Sequence, residues 1–216
     1  LDFENRTIGS FQLPFAISIA GSVFLSNDGM LWVSALEPTP GVLRIDPEKM
    51  SYQVIDKKND LVSDRFLQIS EDGEKNIWIT SFNGLYIIAQ KSNTLKHFDK
   101  KNGLISDTTA SVIRGMDGRM WVAQSEGVAV IDLKNKIISE YKNPAGHQAR
   151  SFKLFFDKTG QLWVGGLNSL WILNIENNTV RNVKTDVGIS NTSVLDMVED
   201  DAGNIILSSI KPDGRP

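Results

Sequence analysis

The stretch GMDGRMWVAQSEGVAVID, residues 115–132, decides the fold, because it returns along the chain at a fixed interval. It holds a turn, a tryptophan in an apolar strand, a second turn and another apolar strand. Its relatives are NDGMLWVSA (27–35), EKNIWITS (74–81), TGQLWVGG (159–166) and AGNIILSS (202–209). The anchor positions Trp32, Trp78, Trp121, Trp163 and Ile206 are separated by 46, 43, 42 and 43 residues. A second marker lies 17 positions upstream of three anchors, at Leu61, Leu104 and Ile189 in NDL, NGL and VGI. Two markers that keep one period point to a repeat architecture.

Each unit divides into short runs rich in Val, Ile, Phe and Leu, bounded by Gly, Asp and Asn. In the third unit these are TTASVIR, RMWVAQ, GVAVIDL and KIISEYK, which predicts four strands per repeat. No stretch sustains helical periodicity beyond about two turns. A period in the low forties built of four short antiparallel strands predicts an all-β protein, a β-propeller of four-stranded blades. A sandwich of short strands would need no fixed period.

With the strands of a blade labelled A to D outward from the centre, the predicted units are 1–14 (outer strand of a preceding blade), 15–57, 58–100, 101–143, 144–185 and 186–216 (an incomplete fifth blade). RTIGSFQL near the start is similar to the D strands NTLKHFD and NTVRNVK, and SVLDMVED with NIILSS supplies strands A and B of the last unit. The simpler expectation is an arc of a larger propeller, about seven-bladed. A closed five-bladed ring is the alternative. The first residue is Leu1, as expected of a piece excised from a longer chain.

Composition narrows the function classes. The 216 residues are 41% hydrophobic and 23% charged, as in globular domains, with a formal net charge of −3 and a pI near 5.5. Lys and Arg are scattered, so nucleic acid is not an expected partner. There is no cysteine, which excludes disulfides, thiolate metal sites and Cys nucleophiles. No apolar run approaches the roughly 20 residues of a membrane helix. P-loop, Rossmann, nucleophile-elbow and metalloprotease motifs are missing, and no cofactor or metal is expected.

The runs NDLVSDRFLQISEDGEKNIWITSFNGLYII and NGLISDTTASVIRGMDGRMWVAQSEGVAVID carry a "GL" turn, a G-x-[LI]-W-[IV] strand and a G-[LV]-x-x-[IL]-D strand. This pattern resembles the two-component regulator propeller repeat, over nearly the whole chain. The fourth unit departs from it with Gly146–His147 in place of "GL", and the fifth with Ile206 in place of Trp. The resemblance implies a periplasmic sensor segment of a hybrid histidine kinase, anchored in the inner membrane, whose partners are the remaining propeller, membrane and kinase regions of the same polypeptide. It also implies a polar ligand, with an oligosaccharide as the expected class.

A tryptophan repeated at one place in four blades is expected to pack between sheets and not to stack on a ligand. Binding residues are expected where the blades differ, in loops on the rigid scaffold. The B–C and D–A connections leave a blade at one end, around the channel mouth. Thirteen positions before the anchors stand Arg65, Thr108, Arg150 and Ser193, and the B–C loops offer Asn83, Gln124, Glu126 and Asn168. Arg, amide and hydroxyl groups together suit a polar or acidic ligand. Gln68, Ser111, Lys153 and Asp196, ten before their anchors, are expected to line the channel or bind water there.

Two other readings are kept. A propeller lyase of the streptogramin-inactivating kind has a similar repeat and uses His near the channel mouth. His147, on a D–A connection, is the candidate here, whereas His97 falls on an outer strand. No partner group for general acid–base work is evident, so no catalytic residue is assigned. The third reading is a protein-interaction platform, and open edges could pair two copies as a homodimer.

Overall fold

The computed structural model describes residues 19–37, 41–63, 65–132, 136–144, 150–183 and 193–210. The quoted stretch forms two neighbouring strands of a four-stranded antiparallel sheet, and the other units repeat it. Blade 1 comprises β1 (Ile19–Leu25), β2 (Leu31–Glu37), β3 (Gly41–Asp46) and β4 (Ser51–Ile55). Blade 2 has β5 (Phe66–Glu71), β6 (Ile77–Ser81), β7 (Gly84–Ala89) and β8 (Thr94–Phe98). Blade 3 has β9 (Thr109–Arg114), β10 (Met120–Gln124), β11 (Gly127–Asp132) and β12 (Lys136–Lys142). Blade 4 has β13 (Arg150–Phe156), β14 (Leu162–Leu167), β15 (Ser169–Asn174) and β16 (Thr179–Asn182). Strands β17 (Ser193–Glu199) and β18 (Ile205–Ile210) are A and B of blade 5.

Within each blade the strands pair in sequence order, and one register recurs. Every anchor sits opposite the residue eight before it: Phe24, Ser70, Ile113, Phe155 and Val198. Every strand A also departs from regular pairing at the same place, around Gly21, Leu67, Ala110, Phe152 and Leu195. Bulges increase local twist and re-aim side chains. Here they bend the innermost strands, β1, β5, β9, β13 and β17, which lie next to one another.

The "GL" marker has a local cause. Asp56 caps the 3₁₀ turn Lys57–Asn59 by accepting from Lys58 N at 2.8 Å, and the Asn59 side chain accepts from Asp56 N at 3.2 Å. Asp60 then takes a left-handed conformation, φ 63°, and Leu61 N returns to Asp56 O at 3.1 Å. Asp99, Lys100–Asn102, Gly103 and Leu104 repeat the device. This reciprocal cap fixes the chain direction and drives Leu61 and Leu104 into the core.

The core lies between blades. Trp32 packs with Phe66, Ile69, Ile79 and Tyr86 of blade 2. Trp78 meets Val112, Val122 and Ala129 of blade 3. Trp121 meets Leu154, Val164 and Trp171 of blade 4, and Trp163 joins Val194 and Met197 of blade 5. Each anchor thus covers the following blade, as expected of large apolar groups in a repeat that cannot bury its faces alone. Ile206 holds the same register but is 54% exposed, and Leu195, Val198 and Ile210 of blade 5 are exposed with it.

Candidate functional site

The B–C turns and D–A connections share one end of the arc, around the channel mouth. In blade 2, Ser63 Oγ accepts from Arg65 N at 3.2 Å and donates to Arg65 O at 3.1 Å. Phe82 N also donates to Arg65 O, at 3.1 Å. These bonds fix the Arg65 backbone and leave its side chain exposed, with the guanidinium 5.4 Å from the centre of the Phe82 ring. That ring is 44% exposed. An exposed aromatic face beside a five-donor planar cation can stack on one part of a polar ligand and chelate a carboxylate or sulfate on another.

Asn83 is committed to the scaffold. Its Nδ2 donates to Val62 O at 2.8 Å and to the Tyr86 hydroxyl at 3.3 Å, and that hydroxyl donates to Val62 O at 2.6 Å. The Asn83 carbonyl meets His97 Nε2 at 2.5 Å. His97 stacks on Tyr86 with 4.3 Å between ring centres. This half-buried imidazole braces the B–C turn and is not the free outer-edge group that its strand D position suggests. Burial raises the Tyr86 phenol above its usual range, against the bonds from Asn83 and Val62, so it stays a neutral donor.

Blade 3 corrects one expectation. Gln124 is not in a loop: it ends β10 and is fully buried. The B–C turn here spans only Ser125 and Glu126, so the last strand residue still points inward. Gln124 Oε1 accepts from Ser106 N at 2.9 Å, Ser106 Oγ accepts from Thr108 N at 3.1 Å, and Thr108 O accepts from Ser125 N at 3.2 Å. Gln124 Nε2 has no partner among the described residues. The half-buried Glu126 accepts from Asn143 N through its carbonyl at 2.9 Å.

In blade 4, Asn168 makes the turn with φ 49°, and its buried Oδ1 has no partner among the described residues. Arg150 and Ser193 both pair with Leu167, which joins the sheets of blades 4 and 5. The Arg150 side chain and all of His147 lie outside the described residues. The structure therefore joins Arg65 to Asn83 through Phe82, and Thr108 to Gln124 through Ser106. Arg150 and Ser193 are linked by their strand pairing with Leu167.

The channel-side residues stitch adjacent A strands. Ser22 Oγ accepts from Ile69 N at 3.3 Å and Gln68 Oε1 from Val112 N at 3.0 Å. Lys153 Nζ pairs with Asp196 Oδ1 at 2.8 Å. The lysine hydrogen bond holds the Asp196 carboxyl below its ordinary range, outweighing partial burial. Ser111 Oγ, also buried, has no partner among the described residues. Among the described residues, no cluster of three metal-ligating side chains occurs, and no helix is long and apolar enough to cross a membrane.

Sequence reasoning missed Phe82, whose signal was its place beside Asn83 in the one B–C turn that carries an aromatic residue. It also missed an acceptor six positions before the anchors. Trp78 Nε1 donates to Asp72 Oδ2 at 2.8 Å, Trp163 Nε1 to Asp157 Oδ2 at 2.7 Å and Trp32 Nε1 to Ser26 Oγ at 3.2 Å. The signal was the Asp of EDG and DKTG.

No protein-family model matches the chain, and no curated protein matches it in sequence. Solved structures do. The extracellular domain assigned to a hybrid two-component system of B. thetaiotaomicron superposes with a TM-score of 0.72 at 18% identity, over 89% of this chain and 27% of that one. Virginiamycin B lyase from Staphylococcus aureus gives 0.68 at 14%, over 91% and 68%. PorZ, a surface component of the type-IX secretion system of Porphyromonas gingivalis, gives 0.68 at 14%, over 90% and 31%. The chain spans about a quarter of the first of these. At such identities the likeness is one of fold, and by fold this chain is an arc of β-propeller blades similar to those of two-component extracellular domains.

Proposed function

We propose that this chain is a ligand-sensing propeller segment of an extracytoplasmic receptor, which reads an oligosaccharide at the channel mouth and passes the signal to a kinase elsewhere in the same polypeptide. The observation that carries the reading is the exposed Arg65–Phe82 pair, set on a backbone fixed by Ser63. An aromatic face suits the C–H face of a sugar ring, and the guanidinium suits a uronate carboxylate or a sulfate. The likeness to two-component extracellular domains supports the sensor role. The periplasmic side of the inner membrane is the corresponding location. Binding can signal only through different affinities for two receptor states.

Thermal-shift screening of the chain with acidic and neutral oligosaccharides tests this, because a ligand that binds the folded state raises Tm. An acidic oligosaccharide is expected to raise Tm, and Arg65→Ala to abolish the rise while leaving the unliganded Tm in place. No shift with any sugar, together with a stable protein partner in a pull-down, would instead establish an interaction platform. The likeness to a lyase favours one further reading. Turnover of a streptogramin that is lost in His147→Ala would replace sensing by catalysis.

A further inference from the structure

The opposite end of the arc, formed by the A–B and C–D turns, carries a second pattern. At three blade junctions the residue seven before one anchor meets the residue five before the preceding anchor. At junction 1–2, Asn27 N and Nδ2 both donate to Glu71 Oε2 at 2.8 Å. At junction 4–5, Lys158 N donates to Glu199 Oε2 at 2.7 Å, and Lys158 Nζ to Asp200 O at 2.6 Å. At junction 2–3 the Arg114 guanidinium lies on Gly73, where a Cβ would come within 2.6 Å of it. At junction 3–4 the corresponding residues are Met116 and Phe156, which form no polar clasp.

That junction differs in two more ways. A cleft of about 530 Å³ opens there, walled by Met116, Trp121, Phe156 and Ile175, with Asp117 and Glu176 beside them. Trp121 Nε1, fully buried, has no partner among the described residues. Gly115 stands where blades 2 and 4 have the accepting Asp72 and Asp157. A Cβ at Gly115 would lie 2.7 Å from Trp121 Nε1, so the indole occupies the room of the missing side chain. An unmet buried donor is destabilising, so an acceptor supplied by a ligand is favoured there.

We propose that the cleft between blades 3 and 4 is a binding site for a neutral acyl or acetamido group. Its carbonyl oxygen accepts from Trp121 Nε1, and its methyl or alkyl part packs on Met116, Phe156 and Ile175. Glu176, exposed on the rim, disfavours a carboxylate there, whereas Asp117 is paired with Arg119 at 2.5 Å. A neutral carbonyl satisfies the indole without that repulsion. Because Nε1 is buried, the oxygen reaches it as the wall parts. Met116, unbranched and 78% exposed, has the freedom to move aside. Such a group occurs on N-acetylated sugars and on acylated peptides.

The indole N–H resonances of the ¹⁵N-labelled chain test the site, with one signal from each of its five tryptophans. Titration uses N,N′-diacetylchitobiose in one arm, N-acetyl-leucine amide in the second and sodium acetate as the anionic control. The signal missing from Trp121→Phe is expected to shift saturably with one or both acetamido probes and not with acetate. The arm that responds identifies the source. Phe156→Glu, which places a carboxylate where Glu71 and Glu199 stand, should weaken binding at least about tenfold while the other four indole signals stay in place. If Trp121→Phe does not fold, the signal perturbed by Phe156→Glu serves as the assignment. Millimolar probe that leaves the Trp121 signal unmoved overturns the proposal, as does an equal response to acetate. Since the cleft lies at the opposite end from Arg65, that failure would leave the sensing reading standing.

Discussion

Blades 3 and 4 stand side by side and present the same strand-B tryptophan to the next blade, but they hold it differently. Trp163 donates to Asp157, whose other oxygen accepts from Thr159 N, Thr159 Oγ1 and Gln161 N and so ties the A–B turn to the indole. Trp121 has Gly115 at that place and no acceptor among the described residues, while Asp117 holds its turn from two residues further on through Arg119 N. Blade 1 lies between these arrangements: Ser26 accepts from Trp32 and donates to Asp28. The repeat therefore requires burial of the ring, and the polar restraint on it is free to vary. That freedom is what allows one junction to differ from its neighbours.

Removing a ring outright should produce the largest effect. Trp78 is fully buried between blades 2 and 3, against Val112, Val122 and Ala129. Trp78→Ala should cost about 3–5 kcal/mol, the usual loss for a large aromatic core residue, read as a lower midpoint in urea unfolding. An unfolding free energy within about 0.5 kcal/mol of the parent would mean that the blades are not held by their anchors.

This part of the fold was legible in the sequence because burial leaves a periodic trace. The anchors and Leu61 and Leu104 recur at one spacing, each for a single physical reason. The junction contacts left no such trace. Glu71, Arg114, Phe156 and Glu199 occupy one position with three chemistries, and their partners lie some forty residues away. The mouth was legible in part: the count back from the anchors reached Arg65, but the inward direction of Gln124 depends on a turn of two residues, and Phe82 gains meaning only beside Arg65.

An intermediate effect tests the polar restraint itself. Asp157→Ala strands the Trp163 indole and the turn amides, and should cost about 1–3 kcal/mol. Burial raises the Asp157 carboxyl, but the bonds from Thr159, Trp163 and Gln161 outweigh it, so its folded pKa lies below the ordinary value. A carboxylate lowered in this way stabilises the fold at pH values above its unfolded pKa of about 3.9. That contribution fades as acid protonates the group through its folded pKa. The gap between parent and variant should therefore be full at neutral pH and shrink below about pH 4. A gap that stays constant into that range would place the stabilisation in packing and not in the carboxylate.

The smallest effect is expected at the anchor that covers nothing described. Ile206 pairs with Val198 in the register that Trp78 and Trp163 keep with Ser70 and Phe155. Its side chain is 54% exposed, so Ile206→Ala removes little apolar area from the core and should change stability by less than about 0.5 kcal/mol. The same position thus carries a large cost in blade 2 and almost none in blade 5. A loss near that of Trp78→Ala would show that the face of blade 5 is covered in solution, and adding the flanking exposed residue Val198→Ala would then identify the covered surface by a coupled loss.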